Sequence, residues 1–208
     1  MSGQKDSTAP GQLPTTGGYP GLQPLSDMAG AYNALDSLVR QIVDGKAFAG
    51  LVKVIAVHGG GPGGAPTVDV QPLVNQVNGQ AQQTPHGIVF GLPCFRLHAG
   101  AAAIIVDPVV GDIGQAVTCD RDISTVKATK AQSGPGSFRS NSWADGCYFG
   151  GFLGGGATHY VQITQAGVNI VTSGTVSITG AGLIHNGVNV GATHVHSDPQ
   201  GGNTGPPI

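Results

Sequence analysis

Two histidines near the end of the chain have the spacing of a metal-ligand pair. His194 and His196 are separated by one residue, in the run Thr-His-Val-His-Ser-Asp. In an extended strand, residues i and i+2 point to the same side, so both imidazoles should face one way and Val195 the other. Neutral imidazole nitrogen is a common ligand of divalent transition metals. The pair alone also fits two ordinary surface or core histidines.

The metal ion that this pair could bind depends on how many copies of the chain contribute histidines to one site. If three chains meet on an axis, six neutral nitrogens reach one point, which suits an octahedral iron ion, or nickel or cobalt, better than tetrahedral zinc. Such a site has no open coordination position and would be structural. Gly and Pro dominate the chain after Asp198, which predicts a tight cap over the metal. We therefore predict a tip over residues 191–208, with His194 and His196 holding one Fe ion per trimer.

The segment before the tip indicates that partner chains are needed. Between residues 158 and 190, apolar residues recur at i and i+2 in four pairs: Val161 and Ile163, Val168 and Ile170, Val176 and Ile178, and Val188 and Val190. Each strand can bury one narrow face, and so few large side chains cannot close a core in one chain. This favours an obligate homotrimer with an intertwined triple-stranded β-helix over residues 158–190. The alternative is a small single-chain sandwich packed against the preceding domain.

The middle of the chain has the pattern of a small β-barrel. Strands are predicted at 49–57, 68–74, 88–97, 101–106 and 113–119. Five strands over so short a segment favour an antiparallel barrel of the OB type over residues 46–130, followed by a connector over residues 131–157. The predicted fold class is therefore mainly β.

The first 45 residues are predicted to be an arm and a helix. Residues 1–25 are rich in Gly, Pro and Thr and lack the regions of a signal peptide, so we expect a flexible arm and synthesis in the cytoplasm of the host cell. Ser26 or Asp27 can cap a helix over residues 26–45, and Gly45 can end it. Leu35, Leu38 and the residues around them form an apolar stripe, so this helix must pack on the next domain or on other copies of the chain.

Composition excludes several classes of protein. The chain has 208 residues, 36 of them Gly, only 10% charged residues and a formal net charge of −2. With nine Lys and Arg spread along the chain, no basic patch predicts a nucleic-acid partner. No apolar run reaches the ~18 residues of a membrane-spanning helix. Cys94, Cys119 and Cys147 are odd in number and contain no C-x-x-C pair, which favours free thiols over a disulfide framework or a zinc site.

Several stretches resemble the central spike proteins of contractile-tailed bacteriophages. The tip sequence at 193–196 and 202–207 is similar to the metal-binding apex of that family, and 106–122 and 144–148 are similar to its barrel. The resemblance implies an OB domain above a triple-stranded β-helix, with iron held by His194 and His196 of three subunits. It also implies a virion protein at the tip of the tail baseplate. There the trimer would cap the tail tube, contact baseplate hub proteins and pierce the host outer membrane.

Two other functions remain as alternatives. A trimeric receptor-binding fibre or adhesin would share this composition, although its tip usually carries aromatic residues, which residues 191–208 lack. An enzyme is less favoured, because all 11 acidic residues are Asp, and because no Gly-x-Ser-x-Gly elbow occurs. An iron oxygenase would use His194, His196 and Asp198 with open metal positions. The sequence therefore favours a structural protein without enzymatic activity.

Overall fold

The computed structural model describes residues 30–44, 46–77, 82–191 and 193–205. Its 35% strand and 14% helix confirm the mainly β fold class. The chain divides into two compact units, Met1–Gly154 and Gly155–Ile208, and each is described by itself. Within the described residues, no helix is both long enough and apolar enough to span a membrane.

The described elements are two α-helices and thirteen short strands. They are α1 (Ala31–Asp44), β1 (Ala49–His58), β2 (Thr67–Pro72), β3 (Gln76–Val77), β4 (Gln83–Thr84), β5 (Val89–Pro93), β6 (Leu97–Ala99), β7 (Ala102–Ile104), β8 (Ile113–Thr118), α2 (Ser124–Thr129), β9 (Gly146–Phe149), β10 (Tyr160–Thr164), β11 (Gly167–Val171), β12 (Ile184–His185) and β13 (Val188–Asn189). The helix predicted over residues 26–45 appears within that range as α1. Its proposed caps and the arm before it lie outside the described residues.

The apolar stripe of helix α1 is exposed to solvent. Leu35, Leu38 and Ile42 are all more than half exposed. On the other side of the helix, Arg40 pairs with Asp36 one turn earlier, with 2.8 Å between Nε and Oδ2. The expected packing of the stripe against the next domain is therefore not made by these three side chains.

The first unit is built on a five-stranded antiparallel sheet with the order β5-β2-β1-β8-β9. The sheet curls into a half barrel. Register shifts interrupt the β1–β2 ladder at Val54/Ala56 and the β2–β5 ladder at Val68/Val70. Such bulges bend a strand and increase its twist, which accounts for the curl. A parallel bridge between Cys94 and Tyr148 brings the two edges of the sheet together at one point.

The structure corrects two of the predicted strand assignments. The strand expected at 101–106 forms as β7, but it pairs with β6 in a separate hairpin and is not part of the sheet. The fifth strand of the sheet is β9, which the sequence analysis had included in the connector. Strand β9 has four residues, and its two buried positions are Gly146 and Tyr148. It therefore contains no Val or Ile, the residues that are most typical of strands.

The core of this unit lies on the concave face of the sheet. Its members alternate along the strands, as a half-buried sheet requires. They are Val52, Val54, Val68, Val70, Val89, Leu92, Cys94, Ala116 and Tyr148. The Tyr148 side chain is the largest and is 2% exposed, and burial raises its pKa to about 12. Gly114 leaves the space that this ring occupies, since a Cβ there would meet the ring itself.

The second unit contains two small hairpins. Strands β10 and β11 pair from Tyr160↔Val171 to Thr164↔Gly167, and β12 pairs with β13. Residues 172–183 form no strand, so the strand predicted around Val176 and Ile178 is absent from the single chain. A strand must hydrogen-bond to a neighbouring backbone, and in the single chain none is provided for this segment.

Candidate metal centre

The histidine pair follows directly on the β12–β13 hairpin. The Asn189 side chain stabilises the segment that follows this hairpin. Its Oδ1 accepts from the Gly191 amide at 2.9 Å, and its Nδ2 donates to Thr193 Oγ1 at 3.0 Å. The His194 amide then donates to the Gly191 carbonyl at 3.1 Å, closing a turn. This turn sets the direction in which the next side chains leave the backbone.

His194 has one ring nitrogen engaged and one available. Its Nδ1 lies 2.7 Å from the Gly191 carbonyl oxygen. A carbonyl can only accept, so the proton must be on Nδ1, and the neutral ring then carries its lone pair on Nε2. Histidines that bind metals commonly have this arrangement, in which a hydrogen bond to one nitrogen fixes the tautomer of the other. His194 is thus prepared to bind a cation through Nε2.

His196 lies beside His194 and is more exposed. The centroids of the two imidazole rings are 5.1 Å apart, and the ring planes are inclined at 85°. The His196 backbone is fixed by Thr204, whose Oγ1 accepts from the His196 amide at 3.0 Å and whose amide donates to the His196 carbonyl at 2.8 Å. The structure therefore brings together the two side chains that the sequence singled out.

The chain beyond His196 folds back in a tight turn. Ser197 and Asn203 form an antiparallel bridge, and the Asp198 amide donates to the Gly202 carbonyl at 2.7 Å. The Asp198 carboxylate caps the turn, with Oδ1 accepting from the Gln200 amide at 3.0 Å. Gly201 has φ of +93°, a conformation that glycine adopts without strain. The Gly-rich sequence thus makes a closed hairpin end.

One chain offers few ligands at this place. In the part of the chain that the structure describes, no group of three or more His, Cys, Asp or Glu side chains could hold a metal ion. The Asp198 carboxylate is engaged in its own turn and does not complete a set with the two histidines. Two imidazoles with one fixed tautomer suit a metal only if other chains supply the remaining ligands.

Other histidines of the chain have local partners. His58 Nε2 lies 2.9 Å from Asp69 Oδ2, and this hydrogen bond is the main cause that lowers the pKa of Asp69. His86 packs edge-on to Trp143, and His159 Nδ1 lies 3.0 Å from Thr172 Oγ1. Each of these three histidines therefore has a local contact within its own unit.

Sequence reasoning missed an ionic cluster in the first unit. Arg139 Nε and Nη2 donate to the two carboxylate oxygens of Asp145 at 2.8 and 3.0 Å, and Nη2 also lies 3.1 Å from Asp122. Both carboxylates are buried. The Ile123 amide and the Ser137 hydroxyl add further donors. The cluster therefore ties the connector to the segment around Asp122, through carboxylates whose partners all belong to the chain itself.

A second, partly buried pair, Arg96 and Asp107, fixes the Gly-rich loop at residues 59–64, which follows β1. Arg96 donates to the Gly61 carbonyl at 2.9 Å and to Asp107 Oδ1 at 2.6 Å. The Gly61 amide donates to the other oxygen of Asp107 at 2.6 Å. The two side chains therefore hold the loop through the backbone amide and carbonyl of Gly61. A Gly-rich loop that binds phosphate needs free backbone amides, and the Gly61 amide already donates to Asp107.

The chain was compared with known proteins. No protein-family model matches it, and no curated protein is significantly similar to its sequence.

Proposed function

We propose that the chain is a structural virion protein, the central spike of a contractile phage tail, and that it acts as a homotrimer. The observation that carries the proposal is the exposure of apolar side chains in Gly155–Ile208. None of the described side chains of this unit is buried. The large apolar residues at least half exposed are Val161, Ile163, Val168, Ile170, Ile178, Ile184 and Val188.

Burial of these residues between chains is the physical basis of the trimer. Exposed apolar surface is unfavourable in water, and its burial is worth about 25 cal/mol per Å². Soluble monomers rarely expose contiguous apolar surface of this kind. In an intertwined β-helix, each chain would supply one wall of a shared core. Residues 172–183, which lack a strand in the single chain, would find a partner backbone there.

The sheet of the first unit supports the proposal of an OB-type barrel in that unit. Strand β1 lies in the middle of the order, β8 and β9 follow on one side of it, and β2 and β5 lie on the other. The parallel bridge between Cys94 and Tyr148 joins the two outer strands. In the assembled tail, these barrels would cap the tail tube and contact baseplate hub proteins.

The histidine pair supports a metal at the apex. Six imidazoles from three chains would hold one iron ion, or nickel or cobalt, with Nε2 of His194 among the ligands. The ion would act as a structural brace, and structural metals can contribute on the order of 10 kcal/mol to folding. The proposal includes no catalytic step.

The mechanical role follows from the assembly. Three intertwined chains cannot separate without breaking contacts to two partners, and the metal would lock their ends. Sheath contraction would drive this point through the host outer membrane. The protein would be made in the host cytoplasm and would reside in the virion at the tip of the baseplate, with no nucleic acid as partner.

Native mass spectrometry of the full-length protein tests the proposal. We expect one species of three chains. A monomer would contradict the spike, because one chain leaves the apolar strands uncovered. Binding of the isolated trimer to intact cells separates the spike from a receptor-binding fibre. A spike should show no saturable binding, and saturable binding would support the fibre.

A further inference from the structure

Two of the three cysteines lie side by side on the outer face of the half barrel. Cys147 in β9 is directly opposite Val117 in β8. Cys119 lies just beyond β8, and its amide donates to the Asp145 carbonyl at 3.0 Å, which continues the ladder. Cys119 and Cys147 are therefore diagonal neighbours on one face, a relation in which side chains can interact. Cys147 is also the neighbour whose charge and side-chain hydrogen bond both act to raise the pKa of Cys119.

The third cysteine has a different environment. Cys94 is buried in the core, and desolvation raises the pKa of its thiol to about 11. Cys119 and Cys147 are both only partly buried, so a reagent in solution can reach them. The structure thus places one thiol in the core and two partly buried thiols at diagonal positions on the outer face.

We propose that Cys119 and Cys147 are a modification site that closes to an intramolecular disulfide when the protein meets a small-molecule disulfide oxidant. One thiolate attacks the oxidant and displaces one thiol from it. The second thiolate then attacks the mixed disulfide and displaces the other thiol. Both cysteines lose a proton, one S–S bond forms, and the oxidant is reduced to two thiols. The inference does not depend on the proposed function, and the cysteine spacing in the sequence gave no indication of it.

The bond would fasten a short edge strand of the sheet. Strand β9 is four residues long and pairs along its length with β8, and it meets the segment after β5 at the Cys94–Tyr148 bridge. A link from Cys119 to Cys147 would enclose residues 120–146, which contain α2 and the Arg139 cluster. Crosslinks stabilise chiefly by restricting the unfolded chain, so this loop would resist unfolding more strongly.

The rate should depend on pH. The thiolate is the attacking species, and burial with the neighbouring Cys147 raises the pKa of Cys119 above its ordinary value. Attack by the Cys119 thiolate is therefore expected to be slow at neutral pH and faster at mildly alkaline pH.

Peptide mapping of the full-length protein tests the proposal. Trypsin cuts after Lys53, Arg96, Arg121 and Arg139, so the three cysteines fall in three different peptides. After treatment with oxidised glutathione at mildly alkaline pH, we expect the peptide of Cys119 to be linked to that of Cys147. Free thiols should fall from three per chain to one. The melting temperature should rise by roughly 5–10 °C and return on reduction.

Two single variants complete the test. Cys119→Ser and Cys147→Ser should each abolish the linked peptide and the rise in melting temperature, while Cys94 keeps its thiol as an internal control. The proposal is overturned if the folded wild type keeps three thiols or carries only mixed disulfides with glutathione. It is also overturned if the link involves Cys94 or joins two different chains.

Discussion

Asp122 is a buried carboxylate that its neighbours keep ionised. Hydrogen bonds from Ser124 and Ser137, with the charge of Arg139 behind them, hold its pKa well below the ordinary range. Burial alone would raise that pKa, so the donors dominate. An aspartate surrounded in this way contributes stability only while it is charged.

The loss of this charge should be visible as acid sensitivity. Because the pKa in the folded state is depressed, the contribution is complete above the unfolded value of about 3.9 and is lost as pH falls through the folded value. Asp122→Asn should therefore lower stability at neutral pH and flatten the decline of the unfolding free energy below about pH 5. Urea denaturation at several pH values measures both. Asp120→Asn, which changes an exposed carboxylate, is the control, and parallel curves for wild type and Asp122→Asn would refute the account.

Gly114 tests the packing of Tyr148. A Cβ at Gly114 would collide with the Tyr148 ring and with the Phe149 carbonyl. Overpacking of a tight core typically costs about 1–3 kcal/mol, so Gly114→Ala should destabilise the first unit by at least this amount. Gly134→Ala is the matched control, because a Cβ there meets nothing within 4 Å. Equal melting temperatures for the two variants would show that the ring has more freedom than the structure allows.

Single side chains could be predicted from the sequence only in part. The spacing of His194 and His196 was enough to name the pair, and the structure brings the two rings together. The tautomer of His194 was not predictable, because it depends on a carbonyl three residues earlier that only the folded turn brings near. The cluster around Arg139 was missed for a similar reason, since its partner Asp122 is distant in sequence.

Strand β10 allows a direct test of the shared core. Val161 and Ile163 point to one side of it and Gln162 to the other, and Ile163 is 79% exposed in the single chain. If the proposed trimer buries Ile163, an unpaired amide there costs about 1–3 kcal/mol per chain. Ile163→Asn should then shift the protein from trimer towards monomer in analytical ultracentrifugation. Gln162→Asn should remain trimeric, and identical behaviour of both variants would contradict burial of this face.

The elements differed in how well the sequence predicted them. Strands β1 and β2 were recognised because Val recurs at alternate positions, as Val52 and Val54 in β1 and as Val68 and Val70 in β2. Strand β9 and the pairing of β7 were not, because they depend on contacts between distant segments and not on local pattern. Helix α1 was recognised from its stripe, although the covering of that stripe could not be predicted from one chain.

The complete chain combines a unit with its own core and a unit without one. The first can be explained from its own residues, since nine side chains form a core on the curled sheet. The second has regular hairpins but buries none of its described side chains. This contrast is the physical reason for proposing partner chains, and it gives the histidine pair its significance. Two imidazoles are a weak site in a monomer and a sufficient one when repeated about an axis.

Elemental analysis of the purified protein tests this proposal most directly. The metal content of the wild type, with chain concentration from amino-acid analysis, is compared with that of His194→Ala/His196→Ala. His58→Ala serves as a control that removes a histidine outside the pair. We predict one transition-metal ion per three chains, retained in His58→Ala and lost in the double variant. One ion per chain, or a wild-type trimer without metal, would contradict the shared site.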